Sequence, residues 1–165
     1  MTYAWQPACS IELIRLRARV LHEIRLFFYA ENVLEVETPV LCHAIGTDPF
    51  LDFFSTAELT GKQPSLYLQT SPEFAMKRLL AAQTGSIYQI TKAFRKGELG
   101  RLHNPEFSML EWYRVGYDLR QLMDDAELLL GRLLPEEYFS EPATRLCYAN
   151  VFQQYTGFNA LQFDL

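Results

Sequence analysis

Two runs, Ser86-Ile87-Tyr88-Gln89-Ile90-Thr91-Lys92-Ala93-Phe94-Arg95 and Glu106-Phe107-Ser108-Met109-Leu110-Glu111-Trp112-Tyr113-Arg114, carry the reading of the fold. Both are rich in β-branched and aromatic residues, and a polar, glycine-containing loop separates them, which is the pattern of a long antiparallel hairpin. Side chains alternate across a strand, so Phe107, Met109, Glu111 and Tyr113 share one face while Ser108, Leu110 and Trp112 take the other. On the first strand the same alternation aligns Gln89, Thr91 and Arg95. One surface of the hairpin therefore offers a guanidinium, a carboxylate and a phenol together, a poor core face and a good binding face. Burying a carboxylate costs roughly several kcal/mol unless it is paired, so Glu111 needs a cation from the protein or from a ligand. Glu73 poses the same question. Taken singly, these residues also suit a structural pairing with a nearby arginine, and Lys92, Arg95, Lys96 and Arg101 read first as a solvated hairpin tip. His22 and His43 lie far from His103 in sequence, so no histidine metal site is expected and His103 reads as a loop or phosphate contact.

Outward from the hairpin, Leu13, Leu16, Val20, Ile24 and Phe27 recur at helical spacing behind Ser10, a plausible N-cap, and predict an amphipathic helix over residues 10–28. Residues 32–38 alternate as a short strand closed by Pro39. Residues 46–65 hold Gly46, Pro49, Gly61 and Pro64 without a sustained period and read as mobile, with Phe50-Leu51-Asp52-Phe53-Phe54 as a possible strand inside them. A strand over residues 66–70 leads into Ser71-Pro72-Glu73, a helix-starting sequence, and a helix over residues 72–82. Leu119, Leu122, Met123, Ala126, Leu130 and Leu133 mark a second amphipathic helix opened by the capping box Asp118-x-x-Gln121. A short strand around Leu146 and a short helix over residues 151–155 follow, before Gly157.

The 165 residues, 49% hydrophobic and 21% charged, fit one soluble globular domain. With 15 basic and 20 acidic residues the net charge is -5, which argues against a broad electrostatic grip on phosphate backbones. Cys9, Cys42 and Cys147 are widely spaced and suggest neither a disulfide framework nor a zinc site, so a reducing cytoplasm is expected. No apolar stretch approaches the roughly 20 residues that span a bilayer, and no membrane association is expected.

Phe27-Phe28 through Val36-Glu37-Thr38-Pro39 resembles motif 1 of the class II aminoacyl-tRNA synthetases, over residues of about 20–39. The run Ala93-Phe94-Arg95-Lys96-Gly97-Glu98-Leu99-Gly100-Arg101-Leu102-His103-Asn104-Pro105-Glu106-Phe107-Ser108-Met109-Leu110-Glu111-Trp112-Tyr113 resembles motif 2 of their lysine-specific branch, over residues of about 86–114. Within that branch, Thr70-Ser71-Pro72-Glu73 to Met76-Lys77-Arg78-Leu79, together with Trp112 and the scant sequence before motif 1, is similar to the elongation factor P lysine ligases. The resemblance implies an α+β fold, a class II synthetase-like antiparallel sheet flanked by helices. Residues 1–165 would be a partial catalytic domain, truncated before motif 3 and without an anticodon-binding domain.

Members of that family activate lysine, preferably (R)-β-lysine, with ATP and Mg²⁺ as an aminoacyl-adenylate and transfer it to a lysine of elongation factor P. By motif position, Arg95 would bridge the substrate carboxylate and the ATP α-phosphate, Phe107 would stack on adenine, and Glu98, His103, Asn104 and Glu106 would line the nucleotide site. Ser71, Glu73, Glu111 and Tyr113 would hold the amino acid. Motif 1, with Pro39, implies a homodimer interface, and tRNA is not the expected acceptor. The family pattern F-R-x-E has Gly97 at its acidic position here, and the late glutamates that hold Mg²⁺ are missing, so little or no adenylation is expected of these residues alone. Two alternatives are a non-catalytic paralogue that binds or oligomerises and a fragment of a lysyl-tRNA synthetase.

Overall fold

In the computed structural model, residues 5–44, 46–56, 66–139 and 141–162 are described; Gly61 and Pro64 of the glycine- and proline-containing segment lie outside them. Ser10 accepts a hydrogen bond from the Leu13 N–H at 3.3 Å and opens helix α1 (Ile11–Ala30). The helix ends where Asn32 turns left-handed at φ 54°, with the Val33 N–H reaching back to the Phe28 carbonyl at 2.9 Å. Only the C-terminal half of its apolar face is buried, through Ile24, Phe27 and Phe28, whereas Leu13 and Leu16 are exposed. The reason lies beneath the helix. Phe28 stacks on Tyr88 at 4.3 Å and touches Trp112 at 5.8 Å, but at the level of Arg17 the neighbour is the hydroxyl of exposed Ser108.

After α1 comes β1 (Leu34–Glu35), shorter than the alternation suggested, and then β2 (Leu41–Cys42), β3 (Ser55–Thr56) and β4 (Leu66–Leu68). Helix α2 (Glu73–Ala81) precedes the hairpin strands β5 (Ile87–Phe94) and β6 (Glu106–Tyr113). The hairpin is paired over its whole length, from Ile87 opposite Tyr113 to Phe94 opposite Glu106. One sheet has the order β1-β5-β6 and the other β2-β4-β3. The expected antiparallel sheet is in fact mixed, because β1 pairs with β5 in parallel. A parallel neighbour needs a long crossover, and the second sheet with α2 supplies it. The expected strand over residues 50–54 does not form. Asp52 instead accepts from the Lys96 N–H at 3.0 Å and Phe54 from the Leu68 N–H at 3.0 Å, and strand pairing begins at Ser55.

Both faces of the hairpin are pinned by polar groups, the face toward α1 through Tyr88 beside the aromatic stack and the other through Gln89, which lies opposite Glu111. Tyr88 donates to Glu35 Oε2 at 2.8 Å while Arg25 donates to Glu35 Oε1 at 3.0 Å. Thr38 donates to the buried Gln89 Oε1 at 3.0 Å. Both contacts hold residues 35–38 to β5.

The chain divides into two units, Met1–Met123 and Asp124–Leu165. Helix α3 (Leu119–Leu133) begins in the first with its capping box closed in both directions. The Asp118 N–H donates to Gln121 Oε1 at 2.8 Å and the Gln121 N–H to Asp118 Oδ1 at 2.9 Å. In the second unit Arg145 pairs with Asp124 and Glu127, and Glu127 also accepts the Ala143 N–H at 2.8 Å. Leu146 is not in a strand; it precedes helix α4 (Tyr148–Thr156), which stops at Gly157 with φ 78°. Among the described residues no helix is long and apolar enough to cross a membrane.

Candidate functional site

A cleft of about 690 Å³ opens on the face of the hairpin turned away from α1. Arg95, Met109 and Glu111 form its floor, brought to one side by strand alternation. Gln69, Thr70 and Ser71 form one wall with the first residues of α2, Glu73 and Phe74. Gly46, Thr47, Asp48, Pro49 and Leu51 form another, shaped by a turn in which Asp48 Oδ1 accepts the Phe50 N–H at 3.0 Å. The half-buried Cys42 also lines the cleft, and burial pushes its thiol up against the opposing pull of Arg78.

Among the described residues, Glu111 is held by two hydroxyls. Ser71 Oγ donates to its Oε2 at 2.9 Å and Tyr113 OH to its Oε1 at 2.6 Å, while no lysine, arginine or histidine of the described residues lies within salt-bridge distance. Ser71 Oγ is fixed in turn by the Glu73 N–H at 3.1 Å, at the start of α2. Burial, and then the bond to Glu111, push the Tyr113 phenol above its ordinary range, so it keeps the proton it donates. The carboxylate is thus oriented, and no cation of the described residues pairs with it. Two neutral donors solvate a negative charge but do not neutralise it.

At the other end of the floor, Arg95 donates weakly from Nε to the Thr70 carbonyl at 3.4 Å and faces Glu98 at 3.8 Å. Its guanidinium lies 5.2 Å from the centroid of the Phe107 ring. Gly97 takes φ 84°, which turns the chain so that Glu98, rather than residue 97, meets Arg95. A cation at one end and an unneutralised carboxylate at the other suit a ligand whose own charges are anion and cation in the opposite order.

Residues 7–163 match the family model described as tRNA synthetases class II (D, K and N). This chain belongs to that family. It is 50% identical over 162 residues to the Elongation factor P--(R)-beta-lysine ligase of Vibrio atlanticus (strain LGP32), covering 95% of this chain and 48% of that protein. Proteins of the same name from Pseudoalteromonas translucida (strain TAC 125) and Vibrio cholerae serotype O1 (strain ATCC 39315 / El Tor Inaba N16961) are 49% and 48% identical, each covering 98% of this chain and 49% of the relative. The chain therefore spans about half the length of the curated relatives it matches.

In this class II synthetase chain the residues singled out for the amino acid and nucleotide subsites fall into three groups. Ser71, Glu73, Arg95 and Glu111 line the cleft. Tyr113, Phe107 and Glu98 reach it through contacts with Glu111 or Arg95. His103 and Asn104 sit exposed at the hairpin tip, where the Gly100 N–H donates to the His103 carbonyl at 3.0 Å, and Glu106 pairs with Lys92 at 3.0 Å; none of these lines the cleft. Pro39 is exposed beside a separate recess of about 410 Å³ that Phe74 and Arg78 also border. Glu73 does have a local partner, contrary to expectation, because Lys77 follows one turn later on the same helix face.

Among the described residues no group of three His, Cys, Asp or Glu side chains could hold a metal ion. The Mg²⁺ implied by the family finds no ligand set in these residues, and no step below runs through it. The turn at Thr47-Asp48-Pro49 and the wall residue Gln69 escaped the sequence reading. The Asp48 side chain and Pro49 mark the former as a turn, although the segment around it has no period; Gln69 carries no local signal at all.

Proposed function

We propose that this class II synthetase chain holds the amino acid and adenine subsites of a ligase that activates lysine or (R)-β-lysine with ATP and transfers it to a lysine of elongation factor P. The observation that carries the proposal is Glu111, oriented by Ser71 and Tyr113 yet without a cation among the described residues, facing the same cleft as Arg95. An ammonium of the substrate completes the charge pair at Glu111. Glu73 takes the second ammonium as the exposed Lys77 side chain gives way.

At the opposite pole, Arg95 leaves its long contact with Glu98 for the substrate carboxylate and the α-phosphate. As a carboxylate oxygen bonds to the α-phosphorus, the bond to pyrophosphate breaks and negative charge builds on the phosphoryl oxygens. A fixed guanidinium offsets that charge where it develops. Phe107 offers its ring to adenine, and Glu98, His103, Asn104 and Glu106 supply nucleotide contacts from the hairpin end. The acceptor lysine amine then attacks the carbonyl carbon and releases AMP. The names of the curated relatives support this substrate and acceptor. Motif 1 with Pro39 serves as a homodimer surface.

The test is calorimetric titration of the chain with a non-hydrolysable lysyl-adenylate analogue, beside an Arg95→Ala variant. The chain binds the analogue, and the variant loses roughly tenfold or more, as expected when a charge-assisted contact is removed. Equal affinity in the two, or no binding by a folded chain, refutes the assignment.

A further inference from the structure

Gln69 is 5% exposed, and its hydrogen bonds reach other segments of the fold. Its backbone N–H donates to the Val40 carbonyl at 3.0 Å, beside β2, and its carbonyl accepts from the Phe94 N–H at 2.9 Å, at the end of β5. The side-chain amide uses both of its hydrogens on β5, one to Thr91 Oγ1 at 3.1 Å and one to the Lys92 carbonyl at 2.9 Å. Thr91 lies opposite Met109 in the register of the hairpin, and Met109 is part of the cleft floor. The next two residues of the chain touch the two poles of the cleft. Thr70 offers its carbonyl to Arg95, and Ser71 its hydroxyl to Glu111.

From this juxtaposition we propose that Gln69 is a positioning residue that clamps the segment Gln69-Thr70-Ser71 to β5 and so fixes the span between Arg95 and Glu111. The inference rests on the function proposed above. Among uncharged side chains only glutamine and asparagine donate two hydrogens from one nitrogen, and asparagine is a methylene shorter. A glutamate at this position keeps the shape but turns an anionic oxygen toward the Lys92 carbonyl. Ligands that touch one pole are indifferent to the span, whereas a ligand that reaches both reads any change in it. A misplacement of about 1 Å can cost a site on the order of a hundredfold.

The experiment measures dissociation constants for three probes: lysinamide, which lacks the carboxylate, ATP, and the non-hydrolysable lysyl-adenylate analogue that spans both poles. Each is titrated into the chain, the Gln69→Glu variant and the Thr91→Val variant. Gln69→Glu weakens the spanning analogue by roughly tenfold or more and each single-pole probe by less than about threefold. Thr91→Val, which removes one of the two acceptors, shows the same selectivity at a smaller size and carries the test if circular dichroism shows Gln69→Glu unfolded. Equal losses on all three probes mean a purely structural role and overturn the proposal, as does undiminished binding of the spanning analogue. If the unsubstituted chain itself fails to bind that analogue, the function proposed above falls and the role of Gln69 with it. If that chain binds and the variants bind equally well, only the role of Gln69 falls.

Discussion

The two faces of the hairpin β5–β6 use the same pair of residue types for different ends. On the face toward α1, Tyr88 donates to Glu35, and Arg25 completes the charge pair; on the cleft face, Tyr113 donates to Glu111 and no cation of the described residues follows. The back face is finished, with its ring stack and its satisfied carboxylate. The cleft face is left one charge short. Strand alternation lets a single pair of strands carry both roles, since each residue belongs to one face and successive residues can be assigned separately to stability or to binding.

That division is broken most severely at Phe28, which is fully buried and stacked on Tyr88. Phe28→Ala is expected to lower stability by about 3–5 kcal/mol in denaturant unfolding, while the fraction that remains folded binds ligand normally. A variant that unfolds no more easily but loses ligand affinity breaks the comparison. The counterpart on the other face is Glu111→Gln, which keeps the shape and removes the anionic partner of a buried ammonium. Lysine affinity is expected to fall by about 2–3 kcal/mol by calorimetry, with little change in melting temperature. Equal affinity in both forms contradicts the role assigned to Glu111.

The finest probe is the paired substitution of the two tyrosines. Tyr88→Phe should cost about 1 kcal/mol of stability and leave binding unchanged, and Tyr113→Phe should do the reverse by a similar amount. Burial, aided by the neighbouring carboxylate, holds both phenols above their ordinary value of 10.0. Below pH 10 the unfolded chain also keeps these protons and their stabilising contribution is fully present. As the pH rises above 10 only the unfolded chain releases them, so stability falls towards the raised native values. Unfolding followed at increasing pH should show that fall, and each phenylalanine variant should flatten it. A fall of the same slope in both variants assigns it to other groups.

Much of this was legible in the sequence because it repeats locally. The period of two along β5 and β6 gave each face its residues, and the reciprocal bonds of Asp118 and Gln121 follow from a spacing of three. Other features depend on distant partners. The first turns of α1 look as apolar as the last, yet Leu13 and Leu16 stay exposed because burial is decided by what lies beneath the helix. Gln69 reads as one more polar residue, since its acceptors lie 22 and 23 positions further along the chain. The cleft wall at residues 46–51 belongs to a segment, residues 46–65, that has no period, so only the local turn chemistry of Asp48 marks it in the sequence. At Glu73 the missing step was smaller, for a lysine four residues later on a helix is a partner that spacing alone predicts.

The parallel pairing of β1 with β5 has a kinetic consequence. The hairpin joins strands separated by one short loop, whereas Glu35 and Tyr88 are 53 positions apart when they meet. Closing the longer loop costs more entropy before any contact repays it. The hairpin is therefore expected to nucleate first, with residues 34–38 docking onto strands already paired. Arg95, Glu111 and Tyr113 acquire their common side as soon as the hairpin zips, and Glu111 gains its Ser71 partner only when the crossover has condensed around it.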